Sequence, residues 1–447
     1  MVTILVLAHD EKDMTIQCIS SIRTFVEKKE LSVILVDNGS TDGLKEWAQE
    51  QQDISYVYFD DGLEPWGSVI RKTIDAFEID TDIVVMQSRV ILLPGSITCM
   101  ELQLNADSNT AMVGCVTTNA KSIHQIPDRK VSDVPEAIGY FKDHLDEKPC
   151  RVIGVEPGIF MLKKGCFDCF DPQIWSLSAL VKDMALKFNE AKMDIYACRN
   201  CIVYEMSEIL PENKDCFLRN DEDLELLEKK WGMHYFNFSG SDKLTRFIDS
   251  DRKNIRVLEV GCDCGATLLH IKNLFPEAYT VGCDISKSAV KLAERFVDNA
   301  FVANIEEYNL SIEAHSLDYV LFGDVLEHLR NPEQTLRYVQ NLLKDNGKVL
   351  ACIPNLMHIS VVKDLLMGNF TYTEIGLLDK THIHFFTFNE IVKMYSRAGY
   401  SIDECASYKR PISEEDDALI DKLIGLVPGA EKHMYQTFQY LVKAGMQ

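Results

Sequence analysis

The sequence predicts an α/β protein built as two domains, and three observations carry that expectation. At 447 residues the chain is too long for one ordinary core and long enough for two domains of roughly 200 residues. Short apolar runs alternate with amphipathic stretches, the pattern of a mostly parallel sheet covered by helices. The alternation is interrupted once, near Phe238, by the polar cluster FSGSDK, and then restarts.

Before the interruption the order is TILVLA, QCISSIRTFVEK, SVILVDNGSTDG, IRKTIDAFEI and TDIVVMQ; after it come IRVLEVG, TLLHIKNLF, YTVGCDIS, AVKLAERF, LDYVLFGDV, TLRYVQNLLK and GKVLACIP, with QTFQYLVKAG as a closing strand. The expected boundaries are residues 1–238 for the first domain, 239–254 for a linker and 255–447 for the second. Composition is globular, with 46% hydrophobic and 26% charged residues and no repeat or low-complexity run. A net charge of −23 repels phosphate backbones and anionic lipid, which disfavours nucleic acid and membrane surfaces and favours a small or neutral acceptor. The opening run MVTILVLAHD is too short to span a bilayer and has no basic leader, so it reads as a first strand with no integral membrane segment. Fourteen cysteines scattered through apolar segments suit buried thiols and a cytoplasmic location. The pairs Cys166/Cys169 and Cys198/Cys201 have zinc-ligand spacing, but their apolar neighbours read them as a helix start and a strand.

Val257–Leu268, VLEVGCDCGATL, is a strand, a glycine-bearing turn and a helix start. Gly261 and Gly265 permit a tight turn and close approach to a ligand, and Glu259 places a carboxylate at the strand end. The next strand ends in Asp284, 25 residues after Glu259, where it can accept hydrogen bonds from ribose hydroxyls, with Ile285 beside it. Asp263 makes the turn acidic, which suits a cationic, phosphate-free ligand rather than a dinucleotide.

These residues resemble class I S-adenosylmethionine-dependent methyltransferases, whose E-x-G-x-G-x-G motif matches Glu259, Gly261 and Gly265, with Asp263 replacing the middle glycine. The resemblance implies a Rossmann-like fold, S-adenosyl-L-methionine as cofactor, adenine contacts at Asn304 and Ile305, and a strand ending at Gly323 beside the reacting methyl. It covers about residues 250–447. The stretch NFTYTEIGLLDKTHIHFFTFNEI resembles an acceptor-side insert, which implies Tyr372, His382 and His384 as substrate-binding residues. A helix beginning after Asp324 would set Asp324, Glu327 and His328 on one face. His328 is then the candidate base, with the carboxylates to orient it. The D-x-x-E-H run also resembles the E-x-x-E-H of metal-dependent O-methyltransferases; by that resemblance Asp324, Glu327 and His328, completed by His382 or His384, would hold a divalent metal.

Val33–Gly43, VILVDNGSTDG, resembles the V-D-[DN]-G-S-T-D segment of family 2 glycosyltransferases of the GT-A fold, and this implies nucleotide contacts at Asp37 and Asp42. Trp66–Ala76, the PGSI after residue 93, PGIFMLKKGCFDCFDP and KKWGMHYF extend the resemblance over about 1–238. The chemistry of that family needs a metal on D-x-D and a carboxylate base. Here the D-x-D position reads Gln87-Ser88-Arg89, and the base position, in Leu180-Val181-Lys182-Asp183, is Val181. Arg89 could neutralise a diphosphate without metal but does not replace the base.

The expected function is therefore S-adenosylmethionine-dependent methylation, on oxygen or nitrogen, of a sugar, glycan or glycoprotein acceptor in a surface-glycan pathway, alongside partner enzymes and a non-catalytic glycosyltransferase-like domain. A bifunctional glycosyltransferase/methyltransferase is the alternative, and a glycan-binding or assembly protein with both halves inert is a third.

Overall fold

The computed structural model describes residues 2–26, 31–60, 63–118, 133–143, 146–206, 221–232, 237–238 and 240–447. Residues 233–236 of KKWGMHYF and residue 239 of the expected linker lie outside them. The chain divides into two compact units, Met1–Gly240 and Ser241–Gln447. Of the stretch expected as a linker, residues 241–248 fold with the second unit: a turn of helix at Asp242–Thr245 carries buried Leu244, Phe247 and Ile248.

The first unit is built on strands β1 (Val2–Ala8), β2 (Leu31–Asp37), β3 (Ser55–Tyr58), β4 (Asp82–Gln87), β5 (Val90–Ile91), β6 (Thr110–Thr117), β7 (Cys150–Val152), β8 (Ile159–Leu162) and β9 (Asp194–Glu205). They form one sheet in the order β3-β2-β1-β4-β8-β6-β9-β5, with β7 paired to β9. Strands β1 to β4 are mutually parallel where they pair, and β8 runs against both β4 and β6. Every residue of β1 is buried, because a parallel strand covered on both faces needs a continuous apolar run rather than an alternating one. Cys198 and Cys201 are enclosed in β9 among the same core, while Cys166 and Cys169 flank a 3₁₀ turn.

The second unit is built on β10 (Arg256–Val260), β11 (Tyr279–Asp284), β12 (Asn299–Val302), β13 (Leu317–Gly323), β14 (Leu343–Pro354), β15 (Tyr400–Lys409) and β16 (Thr437–Met446). Their order is β12-β11-β10-β13-β14-β16-β15. β10 to β14 run parallel, and β16 is inserted antiparallel between β14 and β15. Helices begin where the sequence supplies caps: Ser286 accepts from the Ala289 N–H, and Asn331 from Gln334 with Pro332 next to it. From β10 the chain winds outward to β11 and β12, then returns to the other side of β10 at β13. The switch point of the sheet therefore lies outside the carboxyl ends of β10 and β13, the place where open α/β sheets bind ligands.

Candidate functional site

The turn leaving β10 is fixed by its backbone. The Gly261 and Gly265 N–H groups donate to the Cys283 and Cys262 carbonyls, both at 2.8 Å. Gly261 has φ +69° and faces Val325 on the loop after β13; a Cβ there would lie 2.7 Å from Val325 Cγ2. Asp263, at the position of the middle glycine, takes φ +45°, a left-handed conformation that aspartate tolerates better than most residues. Its N–H donates to Asp284 Oδ2 at 2.9 Å, while Asp284 Oδ1 accepts from the Ser286 N–H at 2.8 Å. The departure from the glycine pattern thus keeps the turn's shape and ties it to the end of β11.

Glu259 is buried beneath this turn. The Thr267 hydroxyl accepts from the Ser241 N–H and donates to Glu259, but Oε2 is enclosed with no partner. Burial, against the help of Thr267 and with the charges of Asp263 and Asp284 added, pushes its pKa up to about 8. A carboxylate held this way is matched by a cationic ligand. Ile285 stands 76% exposed beside Asp284, an apolar platform at the strand end. Asn304 accepts from the Glu306 N–H at 3.0 Å. The expectation for Ile305 needs correction: its side chain is packed in the core with Phe322 and Leu326, so it offers a ligand only backbone.

At the end of β13 the expected helix does not form. A single 3₁₀ turn spans Leu326–His328, and Asp324 takes φ +56°, so the three residues do not share a helical face. Asp324 instead accepts from the Gln439 side-chain amide on β16, and Gln439 in turn accepts from Lys243 Nζ at 2.9 Å. Although Asp324 is open to solvent, the protein packed around its recess raises its pKa, with Lys243 opposing.

Glu327, His328 and His382 do converge, with one donor atom of each within 4.8 Å of the others; among the described residues this is the cluster suited to a metal. Glu327 is fully buried and neither carboxylate oxygen has a hydrogen-bond partner. Burial, and then the nearby Asp324, hold its pKa well above the carboxylate range. His328 Nδ1 lies 3.2 Å from the Thr381 carbonyl, and His382 Nδ1 lies 3.2 Å from the Leu377 carbonyl. A carbonyl only accepts, so each ring donates from Nδ1, and in the neutral imidazole this leaves the lone pair on Nε2, the tautomer of metal-ligating or basic histidines. His382 Nε2 stands 3.9 Å from Glu327 Oε1, and burial lowers the His382 pKa. The two imidazoles meet edge to face at 4.7 Å. Asp324 is not in this cluster, and His384 faces the Arg330 carbonyl at 3.4 Å instead. Tyr372 is exposed and joins Phe370 and Phe385, the latter 6.0 Å from the His382 ring.

Sequence reasoning missed Lys243, Gln439 and Thr381: Gln439 is brought to the end of β13 by the pairing of β16 with β14, Lys243 by the short helix at Asp242–Thr245, and Thr381 by a loop that meets His328.

The first unit presents the opposite picture. Gln87, Ser88 and Arg89 are buried, with Ser88 Oγ and Arg89 Nε each 2.6 Å from a Glu11 oxygen. Arg89 is committed to an internal ion pair with Glu11, and Gln87, Ser88 and Arg89 offer no carboxylate for a divalent metal. Val181 is buried, and the nearby Asp183 is tied to Lys187, Lys230 and the Trp231 indole. Asp37 is enclosed, its oxygens taken by the Ser40 N–H and the Tyr56 hydroxyl; Asp42 accepts from the Lys12 and Leu44 N–H groups.

Known families match both units. Residues 233–404 match the methyltransferase domain family, and residues 3–91 match glycosyl transferase family 2. The chain thus joins a segment similar to glycosyl transferase family 2 to one similar to the methyltransferase domain family. Curated relatives include demethylmenaquinone methyltransferases from Listeria welshimeri, 26% identical over 34% of this chain and 72% of that protein, and from Lactiplantibacillus plantarum, 23% identical over 33% and 70%. Among solved structures, a SAM-dependent methyltransferase from Archaeoglobus fulgidus is 20% identical over 49% of this chain and 98% of that one, with a TM-score of 0.33. Among the described residues, no helix is long and apolar enough to cross a membrane.

Proposed function

We propose that the methyltransferase domain methylates a hydroxyl of a sugar, glycan or glycosylated acceptor in a surface-glycan pathway, and that the glycosyltransferase-like domain is non-catalytic. The observation that carries the hydroxyl reading is Glu327, a buried carboxylate with both oxygens unpartnered, set against two histidines whose Nε2 lone pairs are free of backbone bonds. A buried carboxylate in that state is protonated or neutralised by a cation. Glu327, His328 and His382 have the mixed oxygen and nitrogen donors that hold Mg²⁺ or Mn²⁺. Such a cation, when bound, would acidify an acceptor hydroxyl. The donor is held by Glu259 below the glycine turn, Asp284 with Ile285, and Asn304, and the acceptor enters from the side of Tyr372, His382 and His384. The methyl carbon passes from sulfonium to acceptor oxygen in line, and the proton leaves towards the His328 side of the cleft. An amine acceptor would need none of this apparatus. The carbohydrate assignment is supported by the covalent union with a sugar-nucleotide fold.

The test is calorimetric titration of Mn²⁺ into the full chain saturated with S-adenosylhomocysteine, for wild type and Glu327→Gln. One site in wild type, weakened at least 100-fold in Glu327→Gln with donor-product affinity kept, is expected. If wild type takes up no metal and its turnover survives chelation, the cation reading fails and His328 alone is the base. His328→Ala lowers methyl transfer by two or more orders of magnitude on either count.

A further inference from the structure

Near the ends of β15 and β16 stand two cations that, among the described residues, have no carboxylate within salt-bridge distance, although acidic side chains outnumber basic ones 69 to 46; the charge acting with Lys243 is that of Asp324. Lys243 Nζ sits 3.9 Å from the centre of the Tyr408 ring, and its one hydrogen-bond partner is Gln439. Arg410 lies face-on over Phe438, its guanidinium carbon 3.8 Å from the ring centre. The two rings meet edge to face at 6.5 Å, so both cations flank a single aromatic step at the ends of β15 and β16. Cations resting on aromatic faces are positioned without being neutralised.

A third polar group borders the same step. His358 is 5% exposed, its ring meets Phe438 at 5.2 Å, its Nδ1 is bonded to Ser360, and its Nε2 is buried with no partner. The step is joined to the methyl-transfer side of the cleft through Lys243, Gln439 and Asp324, the last only three residues before Glu327. An anion seated at Lys243 is therefore two hydrogen bonds from Asp324.

Resting on the methyltransferase reading above, we infer that the acceptor carries an oxyanion, a phosphate ester or a sugar carboxylate, which is bound by Lys243 and Arg410 beside the acceptor hydroxyl. A neutral sugar would leave Arg410 unmatched and Lys243 with only the charge of Asp324 beyond Gln439. Lys243 is thus a specificity residue, and Gln439 and Asp324 position it.

The experiment uses the full chain saturated with S-adenosylhomocysteine, titrated calorimetrically with glucose 1-phosphate, glucuronate and glucose. Wild type is expected to bind at least one anionic probe tenfold or more tightly than glucose, with affinity falling as salt rises. A preference for glucose 1-phosphate assigns a phosphate ester and one for glucuronate a carboxylate. Lys243→Ala and Arg410→Ala should each lose tenfold or more in anion affinity, and Lys243→Arg should restore most of it, while S-adenosylhomocysteine affinity stays within twofold. Equal binding of the three probes overturns the inference. So does a Lys243→Ala variant that loses the donor product, because Lys243 would then serve the donor's own carboxylate. If wild type does not bind S-adenosylhomocysteine, the methyltransferase reading itself fails, a result distinct from either.

Discussion

Glu259 makes donor binding dependent on pH in a calculable way. In the ligand-free protein its pKa is about 8, so at neutral pH it carries a proton. If Glu259 meets the ammonium group of S-adenosylhomocysteine, as proposed, it must do so as the carboxylate, and removing the proton at pH 7 costs about 1.4 kcal/mol, a factor of roughly ten in affinity. At pH 6 the cost is about twice that, roughly a hundredfold. The complex holds fewer protons than the free protein, so affinity rises about tenfold per pH unit from 6 to 8 and then levels. The same shift acts on folding: the ligand-free domain binds its proton more tightly than the unfolded chain, so stability falls as pH rises from the ordinary glutamate value towards 8. Glu259→Gln cannot titrate. It should show a flat profile and, at pH 8.5, an affinity lower by the loss of a charge-assisted hydrogen bond, about 1.5–3 kcal/mol or roughly 10- to 150-fold. Calorimetric titration at pH 6, 7, 8 and 8.5, in two buffers of different ionisation enthalpy, measures both affinity and protons released. A wild-type affinity that is constant over that range, or a slope that persists in Glu259→Gln, refutes the placement of Glu259 against the donor.

Three further perturbations test other parts of the architecture. Glu11→Ala removes a buried carboxylate partner of Arg89 and the acceptor of the Ser88 hydroxyl and should destabilise the first unit by about 3–5 kcal/mol, read as an earlier urea transition, with Glu11→Ala/Arg89→Met recovering most of the loss. Gly261→Ala meets Val325 and an unfavourable left-handed backbone, so S-adenosylhomocysteine affinity should fall tenfold or more in the same titration, while unchanged affinity would separate this turn from the donor. His382→Ala should weaken Mn²⁺ binding by two or more orders of magnitude and His384→Ala by less than threefold; equal effects would contradict the cluster.

What the sequence revealed and what it concealed have separate physical causes. The strands were legible because β1, β10 and β13 are continuous apolar runs, and the donor turn because Gly261, Gly265 and Asp284 stand at fixed offsets along one strand–turn–helix unit. Asp324 was misjudged because the spacing D-x-x-E-H looks helical, whereas φ +56° at Asp324 turns its side chain out of the helical set and towards β16. Lys243 and Gln439 lie 196 residues apart, and no local pattern marks either of them. Their meeting is a product of strand order, in which β16 enters the sheet beside β14 after the rest of the unit is complete. Glu11, the partner of Arg89, was hidden for the same reason: it is 78 residues from the arginine it neutralises.

The contrast between the units locates the chemistry more firmly than any single motif. Where the first unit should keep its catalytic tools, polar groups are enclosed and mutually satisfied: Asp37 by Ser40 and Tyr56, Arg89 by Glu11, Asp183 by Lys187, Lys230 and Trp231. Such groups have little left to give a ligand, since each new contact would first have to break an internal one. At the switch point of the second unit two buried carboxyl groups are unsatisfied, with one oxygen of Glu259 and both of Glu327 lacking a hydrogen-bond partner. A buried orphan acceptor costs about 1–3 kcal/mol, and more when charged. Folding alone gives no return for that cost, whereas a cationic donor at Glu259 and a metal ion at Glu327 would repay it on binding. The unsatisfied carboxylates are therefore where the proposed function places the chemistry, and titration of both units with their expected ligands decides it.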